Sequence, residues 1–157
     1  MRRLQLIETK EAEVSTVIPG GLKIAFATND MSHVDAHFGS ARIIMIYEVG
    51  AEDYRFLEAV QFDAVSDGNA RHPEEDDRVG AKVEAISGCA MLFSLAIGGV
   101  AAARVVNNHV YPLKLPAPEA ITSVIQRVQT MLRGSPPPWL RKLMTRDRAP
   151  DFDFLED

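Results

Sequence analysis

Two of the four histidines, His33 and His37, stand four residues apart in the polar stretch Asn29-Asp30-Met31-Ser32-His33-Val34-Asp35-Ala36-His37-Phe38-Gly39-Ser40-Ala41. Neutral imidazole is a good ligand for iron. In a helical turn, side chains four apart share a face and could share a ligand; in an extended loop they need not. Gly39 would let backbone come close to a bulky group. The stretch leaves a compact apolar run, Leu22 to Ala27, and α/β proteins place ligand sites at the ends of buried strands. Spacing alone leaves a bland reading open, since histidines in a polar loop are often only solvated.

The other candidates also have two readings each. Cys89 is the only cysteine; it is either a core residue, as free cysteines often are, or a cluster contact. Gly98-Gly99 is either a tight strand-to-helix turn or a set of backbone amides able to hold an anion. It matches no nucleotide fingerprint. His72 and His109 read as solvated or structural. Met31 reads equally well as a soft contact or as an exposed loop residue. Arg42, Arg71, Arg104 and Lys114 are the cations that could favour an anionic ligand.

These residues need a scaffold, and the pattern supplies one. Residues 1–21 read as an N-terminal extension ending in Pro19-Gly20-Gly21. Leu22 to Ala27 predicts a buried first strand, Arg42 to Val49 a second, and Tyr54 to Asp63 a third that forms a hairpin with the second. A loop covers residues 64–75, and Pro73 with three following acids predicts a helix start. Val79, Val83 and Ile86 give that helix an apolar stripe, and Gly88 is its cap. Ala90 to Ile97 predicts a strand covered on both faces. A short helix spans Val100 to Val106. Val110 to Leu115 contains Pro112, which predicts an edge strand. A last helix from Pro118 carries Ile121, Val124, Ile125 and Val128 on one face. The order βββαβαβα predicts a ribonuclease-H-like α/β topology, with a mixed five-stranded sheet and helices on both faces, for a domain over residues 22–133. Gly134 to Pro138 reads as a Pro-rich linker, and 134–157 as a linker and charged tail outside the domain.

Bulk properties narrow the function. The 157 residues are 46% hydrophobic and 25% charged, with a formal net charge of −5. That balance suits one globular domain. Acidity argues against a general nucleic-acid or membrane binder. No segment reads as a signal peptide or a membrane span, so the cytoplasm is the expectation, and with no strong exposed apolar stripe a monomer is expected too.

Three blocks in order resemble the NifX/NafY family of iron–molybdenum cofactor biosynthesis proteins. They are His33 to Ala41 after the strand Lys23 to Ala27, then Arg78 to Ala90, then Ala96 to Val106 with Val110 to Lys114. The resemblance covers about Leu22 to Leu132. It implies a non-enzymatic carrier that binds iron–sulfur precursors of the cofactor, or the cofactor itself, and passes them between assembly proteins. It implies the cofactor-assembly enzyme NifB, the scaffold complex NifEN and apo-dinitrogenase as partners, and His37, in the His-Phe-Gly motif, as the candidate ligand. The expected site is His37, His33, Cys89, Gly39 and Arg42, with His37 and Cys89 as metal ligands. The inventory fits such a role, since holding a cluster permanently takes about four cysteines, whereas preassembled cargo needs fewer protein ligands.

Two other functions compete with the carrier. A nuclease of this strand order needs carboxylates meeting on the sheet to hold metal ions, and the first and fourth strands carry none. A cofactor-free adaptor would bind partners regardless of His37.

Overall fold

A computed structural model describes residues 2–5, 18, 20–62 and 76–148. The described strands are β1 (Arg2–Gln5), β2 (Leu22–Thr28), β3 (His33–Val34), β4 (Ile43–Val49), β5 (Tyr54–Gln61), β6 (Met91–Ser94), β7 (Tyr111–Lys114) and β8 (Glu119–Ala120). The helices are α1 (Asp76–Ala85), α2 (Gly99–Asn107), α3 (Ile121–Arg133) and α4 (Pro138–Arg148).

The main sheet runs β1-β5-β4-β2-β6-β7. β2, β4 and β5 pair antiparallel, while β2, β6 and β7 pair parallel. The sheet is therefore mixed, as the pattern predicts, with β2 at its centre. Pro112 lies in the edge strand β7, where its missing amide costs no ladder bond. A second sheet of the small strands β3 and β8 ties the histidine stretch to the start of α3.

Alternation along the central strands splits the core in two. Ile24, Phe26, Met45, Met91 and Phe93 face α3 and α4, and Phe26 and Phe93 stack with centroids 5.7 Å apart. Ala25, Ile44, Ile46 and Leu92 face α1 and α2. Helices thus cover both faces. Ile121, Val124, Ile125 and Val128 are fully buried; each such side chain contributes roughly 1.5–3 kcal/mol. Gly88 takes φ +91 just after α1, the left-handed cap that glycine allows.

Two boundaries differ from expectation. The N-terminal extension is not wholly outside the sheet, because Arg2–Gln5 pairs antiparallel with β5 as a sixth strand. The outer edge of β5 offers unpaired backbone groups that such a strand satisfies. The Pro-rich junction does not end the domain either. Proline begins α4, where a missing amide is harmless, and Leu140 and Leu143 enter the core at 0% and 6% exposure. Trp139 stacks on Tyr111 at 4.5 Å. The expected loop at 64–75, with Arg71, His72 and the helix start at Pro73, and residues 149–157 of the charged tail lie outside the described residues.

Candidate functional site

The C-terminal ends of β2 and β6 form one rim of the sheet. The chain leaving β2 folds first into a tight turn. Thr28 Oγ1 accepts the amides of Asp30 and Met31, and Asp30 Oδ1 accepts the amides of Ser32 and His33, each at 2.8 Å. Met31 sits at φ 66, a left-handed conformation uncommon for a residue with a side chain. The two backbone amides, with smaller contributions from His33 and Thr28, hold the Asp30 carboxyl down at about 2. Its second oxygen lies 2.9 Å from His33 Nδ1. His33 is exposed, with 48% of its side chain accessible.

The chain then passes beside the end of β6. Ala36 accepts the Leu95 amide at 3.0 Å, His37 bridges Ala96 in parallel, and the Phe38 amide donates to Ala96 at 2.8 Å. Phe38–Ser40 is one 3-10 turn. Its residues part ways by chemistry. Phe38 is fully buried against Val83, Ile86, Ala101 and Val105, while His37 and Gly39 stay exposed. The anchored phenyl ring fixes the turn, and the imidazole stands clear, taking no part in capping it.

Ala96 leads directly to Gly98, Gly99 and α2. No side chain caps this helix end, so its first amides and the positive end of its dipole are open to an anion. Gly39, Gly98 and Gly99 have no positive φ, and a methyl group on any of them would meet nothing within 4 Å. The fold does not demand glycine at these positions. They leave bare backbone around His37.

Arg42 immediately precedes β4 at this same rim, its amide bonded to the Asn29 side chain at 2.9 Å. Lys114 ends β7 on this side too, opposite Ser94. Arg104 is directed elsewhere, with its guanidinium 3.0 Å from the position a Cβ on Gly80 would take.

The structure does not bring Cys89 to the histidines. Cys89 precedes β6, and the next amide, Ala90, donates to Lys23 at the start of β2. The seven residues of β2 separate it from the histidine loop, about 20 Å at roughly 3.3 Å per residue. It is buried, and burial pushes its thiol up to about 12, which disfavours the thiolate a metal requires. The expectation that Cys89 and His37 serve one cluster is corrected by this separation. Cys89 instead borders a cavity of about 610 Å³ lined also by Lys23, Glu48, Arg55, Glu58 and Glu84.

Sequence reasoning missed Lys82. It is 3% exposed, its Nζ donates to the Gly39 carbonyl at 2.7 Å, and it lies 5.3 Å over the Phe62 ring. A buried ammonium thus underlies the turn that presents His37. Among the described residues, no group of three or more His, Cys, Asp or Glu could hold a metal ion. No helix among them is long and apolar enough to cross a membrane.

A family model described as dinitrogenase iron-molybdenum cofactor matches residues 21–131. The chain belongs to this family. This member of the dinitrogenase iron-molybdenum cofactor family is 49% identical to the protein NifX of Rhodobacter capsulatus over 87% of each chain. It is 46% identical to NifX of Sinorhizobium fredii over 100% of this chain and 97% of that one. The protein NifY of Azotobacter vinelandii is 31% identical over 78% of this chain but only 48% of its own length. The crystal structure of PH0822 superposes with TM-score 0.54 at 18% identity, covering 69% of this chain and 89% of that one, which supports the α/β fold. A NifX-family protein of this kind has its place in iron–molybdenum cofactor biosynthesis for nitrogen fixation.

Proposed function

We propose that this chain is a non-enzymatic carrier. It binds an iron–sulfur precursor of the iron–molybdenum cofactor, or the cofactor itself, and passes it between assembly proteins in the cytoplasm. NifB, NifEN and apo-dinitrogenase are the partners this role requires. The observation that carries the reading is the bridge between His37 and Ala96, which sets an exposed imidazole beside the uncapped start of α2 and three glycines the fold does not need.

The cargo is an anionic metallocluster. His37 supplies a nitrogen ligand and His33 a second imidazole on the same rim. Gly39, Gly98 and Gly99 let the cluster approach, and the helix amides with Arg42 offset its charge. Sparse ligation suits a donor that must give its cargo up. Cys89 has no place in this site. The five strands β5-β4-β2-β6-β7, three antiparallel and two added parallel, support the ribonuclease-H-like reading of the topology.

The test is an anaerobic titration with extracted iron–molybdenum cofactor or its precursor, reading absorbance and iron content after desalting. Wild type should retain iron, and His37→Ala should lose most of it. Equal retention by both would move the site, and none by wild type, with intact cofactor in the flow-through, would end the carrier reading.

A cofactor-free adaptor is the second reading. It is favoured by α2, which exposes Val100 at 77% and Val106 at 53%, a surface suited to another protein. It expects partner binding unchanged by His37→Ala.

A further inference from the structure

The two imidazoles of the rim are not equivalent. No capping bond engages His37, whereas His33 faces a carboxylate whose own position is fixed. Asp30 Oδ1 is held by the Ser32 and His33 amides at 2.8 Å and by the Thr28 hydroxyl at 3.2 Å. That leaves Oδ2 aimed at His33 Nδ1, 2.9 Å away. An ionised carboxylate can only accept. The hydrogen between them therefore belongs to Nδ1, and the lone pair of the neutral ring lies on Nε2, on the far side from Asp30. An unconstrained neutral imidazole favours the other tautomer.

We propose that Asp30 is a positioning residue for cargo, locking His33 in the Nδ1–H tautomer so that Nε2 is presented as the second imidazole ligand of the rim. The arrangement is the carboxylate–histidine pairing that orients a ligand ring and raises its basicity toward a metal. β3 strengthens it, since the backbone of His33 and Val34 is paired with β8 and the Ile121 amide donates to Ser32. The ring is thus fixed at its backbone and at Nδ1 before cargo arrives, which lowers the ordering cost of binding. The role rests on the carrier reading above.

Asp30→Asn tests it with little change of shape. The retained carbonyl oxygen still accepts the two amides, while an amide NH2 now faces Nδ1 and forces the ring to carry its hydrogen on Nε2. With 15N-labelled histidine in the full chain at about pH 8.5, where an ordinary imidazole is neutral, long-range proton–nitrogen spectra should show Nδ1–H for His33 in wild type. They should show Nε2–H in Asp30→Asn. Anaerobic titration with extracted iron–molybdenum cofactor should then show Asp30→Asn weaker by about tenfold or more, as loss of such a partner commonly costs. In a His33→Ala background the same substitution should change nothing.

A wild-type ring in the Nε2–H form overturns the proposal. So does a tautomer reversal with unchanged retention, or an Asp30→Asn loss that persists without His33, which marks a merely structural effect. If Asp30→Asn fails to fold, His33→Ala alone decides, since unchanged retention there overturns the proposal. If wild type itself retains no cofactor, the carrier reading fails and this role falls with it, whatever the tautomer.

Discussion

The Lys82 ammonium donates a 2.7 Å hydrogen bond to the Gly39 carbonyl, so a charge buried on α1 holds the turn that presents His37. Lys82→Met keeps the aliphatic stem and removes the donor. The carbonyl then loses a charge-assisted partner, a bond type worth about 1.5–3 kcal/mol. Urea unfolding should show a loss of that order, and cofactor retention should fall as the turn loosens. Unchanged stability would mean that water replaces the ammonium without cost.

Gly99→Ala should separate folding from binding. Space around Gly99 is open and it is the first residue of α2, so alanine should hold stability or raise it by up to about 1 kcal/mol. The added methyl stands at the seat proposed for cargo, and retention should drop. Equal retention in titrations of the two proteins would show that cargo does not approach this backbone.

Much of this was legible and some was not, for physical reasons. The 3–4 spacing of Ile121, Val124, Ile125 and Val128 marks the buried face of α3 because no competing signal interrupts it. Lys82 carries the same information in disguise. It falls between Val79, Val83 and Ile86 at helical spacing, hence on the buried stripe, but lysine is so seldom fully buried that its charge masks its place. Trp139, Leu140, Leu143 and Met144 likewise form a helical stripe in α4, hidden behind three prolines that read as an end of structure. The separation of Cys89 from His37 could not be read at all, because it depends on β2 and β6 running parallel. That pairing puts the start of one strand beside the start of the other. Arg2–Gln5 is too short to signal a strand by pattern.

Cys89 should make stability fall at alkaline pH. Burial lifts its folded value to about 12, above the ordinary thiol value of 9.0. Below pH 9 both states keep the proton and the group contributes nothing to the pH dependence. Between about 9 and 12 the unfolded chain releases the proton while the native state holds it, so stability declines by up to about 1.4 kcal/mol per pH unit. Comparing wild type with Cys89→Ala by urea unfolding at two alkaline pH values checks this, since the variant should lack that part of the slope. Its cofactor retention should equal that of wild type, because the thiol lies at the other end of β2.

Leu140→Ala should destabilise the whole domain. The side chain is fully buried within the core that includes Phe26 and Val128, and such truncations cost about 2–5 kcal/mol. Circular dichroism during chemical unfolding should show one transition at lower denaturant. Native-like stability would return α4 to the status of a dispensable tail.

The stack of Trp139 on Tyr111 has an optical consequence. Trp139 is the only tryptophan in the chain, and Tyr111 begins β7 at the end of the sheet remote from the histidine rim. Intrinsic indole fluorescence therefore reports the seating of α4 against the sheet edge without any label. A bound metallocluster absorbs in the visible and would add its own colour at the opposite rim. One cuvette can thus follow two separate places on this small protein, and a change in emission without a change in colour would locate a perturbation at the C-terminal helix rather than at the cargo.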